Sequence, residues 1–240
     1  MDIKDINEEL MPKHIAIIMD GNRRWAREKG LDQKLGHKAG AETLERIASF
    51  ANEIGLKYLT VYAFSTENWK RTKEEVGALM VLLKTYIEKF LNKDSLRNIR
   101  IRLLGNIDGL DEGLRNSIYK IMENSKDNTG LTLNIAFNYG GRDEITRAVR
   151  NISKKVINNE INIEDINEQL ITDNLYTKGE PDPDLIIRPG GELRISNFLL
   201  WQLAYTELLF IDKYWPDFSK KDLLDAIEIF EKRNRKFGGK

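Results

Sequence analysis

The stretch HIAIIM at residues 14–19, followed by DGN at residues 20–22, sets the pattern of the whole chain. A short run in which five of six residues are apolar, ended by a turn signature, predicts a buried strand. Five more runs of this kind predict strands, at residues 57–64, 98–105, 131–137, 184–188 and 206–211.

Amphipathic segments separate the predicted strands and predict helices. They lie at residues 39–54, 73–91, 111–125, 141–158, 163–175 and 197–203, and a last helix begins after Ser219. Strands that alternate with helices predict an α/β fold, with one mostly parallel sheet of about six strands flanked by helices. No Pro-, Gly- or Ser-rich linker divides the chain, so we expect a single domain over residues 1–240, with residues 1–12 and 236–240 flexible.

The composition excludes several classes of protein. Lys plus Arg and Asp plus Glu each number 38, so no net positive charge draws the chain to nucleic acid. Cysteine is absent and histidine occurs twice, which excludes disulfides, cysteine nucleophiles and multi-histidine metal centres. The first 13 residues lack the apolar core of a signal peptide, and the most apolar stretch, residues 197–211, is too short and polar to span a bilayer. We therefore expect a cytoplasmic protein.

Arginines gather where the predicted strands end. Ligands of an open α/β sheet bind at the carboxyl ends of its strands, and guanidinium groups with glycine amides suit an oligophosphate. A single loop arginine is usually only a solvated charge, and neither nucleotide-binding glycine motif is present. The segments that follow four strands are DGNRRW (20–25), STENWKR (65–71), NYGGR (138–142) and RPGGELRIS (188–196). The arginines that support the phosphate interpretation are Arg23, Arg24, Arg71, Arg188 and Arg194.

Two carboxylates and one histidine each have two interpretations. Asp20 ends the first strand and is either a turn residue or a ligand. Glu207 stands among apolar neighbours in TELLFI, so it either forms a salt bridge to an arginine or, with Asp20, holds one Mg²⁺ ion. His37, expected just before a helix, either packs there or contacts an anion.

The predicted helix 73–91 carries two apolar stripes where one core face needs only one. The second stripe either packs on a partner subunit or lines an apolar tunnel. Phosphate-binding loops at the mouth of a tunnel indicate an amphiphilic substrate such as a prenyl diphosphate. The stripes are Val76, Leu79, Met80, Leu83 and Ile87, and Val81, Leu82, Tyr86 and Phe90.

Long segments spread over nearly the whole chain resemble the cis-prenyltransferases, also called isoprenyl transferases. The resemblance implies a homodimeric, Mg²⁺-dependent enzyme that condenses isopentenyl diphosphate onto an allylic diphosphate, usually farnesyl diphosphate. The implied product is a long-chain cis-polyprenyl diphosphate for the cell-wall carrier lipid, released during transient contact with the membrane surface. A shorter product, or a non-catalytic partner subunit on the same fold, are the alternatives. The segments are HIAIIMDGNRRWA (14–26), GHKAG (36–40), YAFSTENWKR (62–71), NYGGRDEI (138–145), IRPGGELRISNFLLWQLAYTELLF (187–210), WPDF (215–218) and KFGG (236–239).

The resemblance also assigns roles to individual residues. It makes Asp20 the Mg²⁺-associated carboxylate, Asn68 the proton acceptor and Glu207 a second Mg²⁺ ligand. Ala63 and Leu131 mark the entrance and the far end of the tunnel. The matched substrate-binding positions are Gly21, Asn22, Arg23, Arg24, Trp25, Gln33, His37, Ser65, Thr66, Glu67, Trp69, Arg71, Arg188, Arg194, Ile195 and Ser196.

Within this set, residues 65–71 form a mobile loop that closes over the substrates, whereas Arg188, Arg194 and Ser196 bind isopentenyl diphosphate. Gln33 departs from the family pattern, which usually has a diphosphate-binding arginine there. Lys34 beside it is a point charge rather than a guanidinium fork, and whether it substitutes is left open.

Overall fold

The computed structural model describes Asn7, residues 9–91 and residues 98–233, and for residues 89–91 it describes the backbone alone. Residues 236–240 and part of residues 1–12, which we expected to be flexible, lie outside the described residues. The side chain of Phe90 and the KFGG segment lie outside them as well.

A parallel sheet of six strands forms the centre of the fold, with the strand order β3-β4-β2-β1-β5-β6. The first strand therefore lies in the middle of the sheet, with β2 and β5 on either side. The predicted single-domain α/β fold is confirmed. The strands are β1 (His14–Ile18), β2 (Tyr58–Ser65), β3 (Arg100–Leu104), β4 (Thr132–Tyr139), β5 (Leu185–Pro189) and β6 (Glu207–Ile211).

Seven α-helices lie in the part of the chain that the structure describes, and short 3-10 helices cover Thr66–Lys70, Ile163–Asp165 and Trp215–Asp217. No described helix has both the length and the hydropathy needed to cross a bilayer. The helices are α1 (Asn22–Glu28), α2 (Gln33–Glu53), α3 (Lys73–Leu91), α4 (Glu112–Ser125), α5 (Gly141–Ile157), α6 (Glu168–Thr172) and α7 (Lys220–Glu231).

The strands pack against a different cluster on each face of the sheet. Ile15 and Ile17 belong to the larger core, together with residues of α2, α4 and α7, whereas the alternating Ala16 and Ile18 belong to a smaller core. Both faces are buried, which is why β1 reads as a continuous apolar run rather than an alternating one.

The predicted helix at residues 197–203 is wrong, because this segment forms turns instead. Ser196, Asn197 and Leu199 have φ angles of 49°, 64° and 45°, which a right-handed helix does not allow. This backbone places Phe198 and Leu199, both fully buried, in the smaller core. Packing against the sheet therefore overrides the local helical pattern. The helix predicted at residues 163–175 is divided between a 3-10 turn and α6.

The beginning of the chain is more helical than the sequence predicted. Helix α1 starts directly after the turn at Gly21, and α2 starts at Gln33 rather than at residue 39. Asp32 caps α2 by accepting a hydrogen bond from the Lys34 N–H at 2.7 Å. A Cβ at Gly36 would lie 2.2 Å from the carbonyl oxygen of Asn22, so this glycine allows α1 and α2 to pack closely. His37 therefore lies inside α2 and not before its start.

A buried polar network surrounds His14 at the amino-terminal end of the sheet. The ring Nδ1 donates to the carbonyl oxygen of Pro181, and Nε2 accepts from the Thr60 hydroxyl, both at 2.7 Å. The Asn134 amide donates to the same hydroxyl oxygen at 3.1 Å. Since a carbonyl can only accept, Nδ1 carries the proton and the ring is neutral. Burial lowers the pKa of His14 to about 4.

We expect this histidine to make the protein sensitive to acid. The unfolded chain binds a proton at His14 near pH 6.5, whereas the folded chain stays neutral down to about pH 4. Stability is therefore fully present above the unfolded pKa and falls as the pH drops through this window, by about 3 kcal/mol for this one group. Urea denaturation at several pH values measures the decrease.

In a His14→Gln variant the acid-induced decrease in the free energy of unfolding should be smaller by about 3 kcal/mol, because the glutamine side chain does not titrate. His37→Gln, which removes the only other histidine of the chain, is the comparison variant. Burial lowers the pKa of His37 as well, so this variant should lose a smaller part of the same pH dependence. The same acid-induced decrease in His14→Gln as in the natural chain would contradict the prediction.

Candidate active site

The carboxyl ends of β1, β2 and β5 meet at one edge of the sheet, as the parallel order requires. Asp20 follows β1, and Arg188 lies in β5 beside it. Ser65 ends β2 and leads into the 3-10 helix Thr66–Lys70. The four strand-end segments in which the sequence predicted the site to lie, including NYGGR after β4, are thus brought to a common edge.

The carboxylate of Asp20 is held by two arginines. Its Oδ2 lies 2.7 Å from Nη2 of Arg188, and its Oδ1 lies 3.5 Å from Nη2 of Arg24. The backbone N–H of Gly21 donates to Oδ1 at 2.6 Å. Gly21 has a φ of 97°, and a Cβ there would lie 2.5 Å from the Tyr214 ring, so the turn requires glycine.

Arg188 is the most buried of the candidate arginines, with 4% of its side chain exposed. Besides Asp20, its guanidinium donates to the Ser196 hydroxyl at 2.9 Å and to the carbonyl oxygen of Arg194. Its Nε is buried without a hydrogen-bond partner. A buried donor without a partner is costly, and a bound anion at this place would remove that cost.

Two polar cavities of about 660 and 600 Å³ adjoin at this edge. Gln33 lines the first of them, whereas Lys34 lines neither. Both cavities are lined by Asp20, Asn22, His37, Arg71 and Arg194. The first is also lined by Gly21, Arg23 and Arg24, and the second by Ser65, Glu67, Asn68, Arg188 and Ser196.

An apolar cavity of about 110 Å³ adjoins the polar ones. Ala63 lines both this cavity and the second polar cavity, and so lies where the two surfaces meet. Leu79, Leu83 and other residues of the first stripe of α3 form one wall, and Leu82 and Tyr86 of the second stripe also contribute. Leu131, at 1% exposure, does not line this cavity. A tunnel that ends at Leu131 stays a prediction.

The segment 65–71 is tied down on both sides. Ser65 and Asn68 cap each other, and the Asn68 Oδ1 accepts the Ser65 N–H at 3.1 Å. Asn197 donates to the Glu67 carboxylate at 2.8 Å, and the Trp69 indole N–H donates to Asn138 at 2.7 Å. These contacts hold the segment over the second polar cavity.

Four of the sequence-predicted binding residues do not line any of these three cavities. Trp25 instead donates its indole N–H to Asp217, and Ile195 packs against the smaller core. Trp69 has 44% of its surface exposed, and Thr66 lies against Gly140. Their predicted contact with substrate stays a prediction.

Glu207 does not join Asp20. It is the first residue of β6 and pairs with Leu185, the first residue of β5, whereas Asp20 follows the last residue of β1. The two carboxylates thus lie at opposite edges of the sheet, about 16 Å apart along the strands. Glu207 forms a 2.7 Å salt bridge to Arg233. The hypothesis that both carboxylates of one chain hold one Mg²⁺ ion is therefore wrong, and the salt-bridge alternative describes Glu207.

Acidic partners of the arginines were missed by sequence reasoning. Glu192 lies 3.4 Å from Arg24 and also pairs with Arg194. Glu75 lies 2.7 Å from Arg71, four residues earlier, and this helical spacing was the available signal. In the described residues no group of three His, Asp or Glu side chains is arranged to hold a metal ion.

These features suit a ligand that carries an anionic headgroup on an apolar body. Arginine-lined cavities adjoin an apolar one at the carboxyl edge of a parallel sheet. Comparison with known proteins identifies the family to which the chain belongs. The family model described as "Putative undecaprenyl diphosphate synthase" matches residues 18–238. The chain belongs to this prenyltransferase family, and the resemblance read from its motifs is confirmed.

The relatives are similar along at least nine-tenths of their length. The isoprenyl transferase of Clostridium tetani is 53% identical over 229 residues, which cover 95% of this chain and 90% of the relative. That of Clostridium perfringens is 50% identical over 232 residues, which cover 97% and 92%.

Two solved structures share the fold. Lavandulyl diphosphate synthase from Lavandula x intermedia, solved with dimethylallyl diphosphate, matches with a TM-score of 0.92 and 37% identity over 97% of this chain and 100% of that one. A probable undecaprenyl diphosphate synthase from Campylobacter jejuni matches with a TM-score of 0.78 and 34% identity over 98% and 100%.

Proposed function

We propose that this prenyltransferase condenses isopentenyl diphosphate onto farnesyl diphosphate with cis geometry, and repeats the step to give undecaprenyl diphosphate for the cell-wall carrier lipid. The observation that carries the proposal is the pair of adjoining arginine-lined cavities, of about 660 and 600 Å³, beside an apolar one. Two diphosphate substrates need two polar sites, and a prenyl chain needs an apolar one.

In each step the allylic carbon–oxygen bond breaks and a carbon–carbon bond forms to isopentenyl diphosphate. Pyrophosphate leaves with the bonding electrons, and the extended chain loses a proton, which an oxygen of the departing pyrophosphate can accept. Arg23, Arg71 and His37 would bind the allylic diphosphate in the first cavity, and Arg188 and Ser196 would bind isopentenyl diphosphate in the second. Fixed guanidinium groups stabilise the charge that develops on the leaving group.

Asp20 fits a Mg²⁺ ion that is held chiefly by substrate. Mg²⁺ commonly binds one or two carboxylates together with phosphate oxygens and water, and Asp20 is the one carboxylate of the described residues that lines both arginine-lined cavities. When bound, the ion would neutralise charge on the departing diphosphate. Asp20 would hold it, and Arg188 would then exchange Asp20 for a substrate oxygen.

Asn68 serves better to position a substrate than to accept the proton. Its carbonyl oxygen already accepts the Ser65 N–H, and an amide is a weak base. The free amide N–H groups of Asn68 can instead donate to a diphosphate oxygen in the second cavity.

The proposed partners are a second copy of the chain and, transiently, the inner face of the membrane. Three large apolar side chains on or near the edge strand β6 are exposed to solvent: Leu193 by 77%, Tyr205 by 71% and Leu208 by 43% of their surface. This exposed apolar surface supports a dimer formed through β6. Burial of the apolar surface of each added isoprene unit stabilises the bound product by up to about 4 kcal/mol. A membrane that accepts the chain would therefore speed its release. A cytoplasmic location, peripheral at the membrane, is part of this proposal.

Sizing the product tests the proposal. Incubating the protein with farnesyl diphosphate, labelled isopentenyl diphosphate and Mg²⁺ should give an undecaprenyl product. A shorter product would favour the second candidate, a short-chain synthase, which the likeness to the lavandulyl diphosphate synthase structure supports. The absence of any labelled product would contradict both and favour a non-catalytic subunit.

A further inference from the structure

Glu75, in the first turn of α3, is surrounded by three basic side chains from three other segments. Its Oε1 lies 2.7 Å from Nη1 of Arg71 and 3.7 Å from Nε2 of His37, and its Oε2 lies 3.5 Å from Nη1 of Arg23. The Glu75 side chain is only 13% exposed. One carboxylate thus connects α1, α2, the 65–71 segment and α3.

The three partners of Glu75 all line the first polar cavity, whereas Glu75 itself does not. An anion that enters this cavity would therefore contact the same groups from the other side. His37 supports this arrangement, because its Nε2 is buried without a hydrogen-bond partner and is too far from Glu75 to donate to it.

We propose that Glu75 is an internal counter-ion of the diphosphate site, which holds Arg23 and Arg71 beside His37 while the site is empty and competes with diphosphate for the two arginines. This inference rests on the proposed function. It assigns Glu75 as a positioning residue that no substrate atom needs to touch.

Glu75 acts on the site in two ways. Without a carboxylate, Arg23 and Arg71 would repel each other in a half-buried place, so Glu75 keeps them converged for an incoming anion. A diphosphate binds more strongly because it offers several charged oxygens to the guanidinium forks. Glu75 is tethered at a high effective concentration, so it can recapture the arginines as pyrophosphate leaves.

The test is the binding of inorganic pyrophosphate to the full chain, measured by calorimetry, in the natural protein and in Glu75→Gln. Glutamine keeps the shape and can still accept from Arg71 but carries no charge. We expect the variant to bind pyrophosphate about 10-fold more tightly, because the competing charge is gone. Glu74→Gln is the matched control, since Glu74 is the exposed neighbour in the same turn and should leave binding unchanged.

Steady-state kinetics give a second readout that a merely structural role would not move in this direction. In Glu75→Gln the KM for farnesyl diphosphate and the inhibition constant of pyrophosphate should both fall, and kcat should fall because release is slower. Glu75→Asp is the second variant, for the case that Glu75→Gln does not fold. Its shorter side chain retains the charge but moves it away from Arg23 and His37, so it should tighten pyrophosphate binding about threefold.

The outcomes separate this inference from the function on which it rests. If the natural chain does not bind pyrophosphate at all, the proposed function fails and the inference fails with it. If the natural chain binds pyrophosphate and both Glu75 variants bind it equally or more weakly, the counter-ion role is overturned while the proposed function stands.

Discussion

Replacing Asp20 with alanine is expected to lower the turnover about 1,000-fold, because the carboxylate that faces both polar cavities is lost. No other carboxylate in the described part of the chain lines both cavities, so none can hold Mg²⁺ against two diphosphates in its place. Incorporation of labelled isopentenyl diphosphate under saturating Mg²⁺ measures the effect.

The same replacement also affects stability, which the experiment must separate from catalysis. Arg188, only 4% exposed, would lose its carboxylate partner, at a cost of about 3 kcal/mol. Asp20→Asn keeps the shape and the contact with Arg188, so it should unfold at a temperature nearer that of the natural chain and still be inactive.

Asp212→Ala is the matched control, because Asp212 is an exposed aspartate that follows β6 at the same edge of the sheet. It should retain nearly full turnover. An Asp20→Asn variant that folds and works at a near-normal rate would reject the role given to Asp20.

Replacing Arg188 with lysine is expected to lower kcat/KM for isopentenyl diphosphate about 100-fold, although the positive charge is retained. The guanidinium contacts Asp20, Ser196 and the carbonyl oxygen of Arg194 simultaneously. An ammonium group cannot reproduce this planar fork, so both the loop and the Asp20 carboxylate lose their position. Initial rates at varied isopentenyl diphosphate concentration measure the loss.

Arg100→Lys is the control for this change, because Arg100 is an exposed arginine on the edge strand β3. Its kinetic constants should match those of the natural chain. An Arg188→Lys variant with an unchanged kcat/KM would mean that charge alone is needed, and would contradict the role of the fork.

The sheet could be predicted from the sequence because its signals are local. All six predicted strands are present with bounds shifted by no more than two residues, and α3 occupies the predicted residues 73–91. Buried parallel strands are short apolar runs between turn residues, and these features need no knowledge of distant parts of the chain. The gathering of Asp20, Arg71 and Arg188 at one edge followed from parallel topology in the same way.

The errors share a different cause. Gly36 and Gly40 weaken the helical signal at the start of α2, yet glycine is what allows this helix to approach Asn22 of α1. The segment around Phe198 has a helical pattern, yet its backbone adopts positive φ angles so that Phe198 reaches the smaller core. In both places a contact with a distant element outweighs local propensity.

By itself, the sequence determined the strands, the family and the arginine-rich loops, because each of these depends on residues that are consecutive in the chain. Only the tertiary structure decided which charges are partners. It separates Glu207 from Asp20 by the length of a strand, and it gathers Arg23, His37 and Arg71 around Glu75. A direct ion pair forms only when the charged atoms lie within a few ångströms of each other, and those distances are set by how the helices and strands pack.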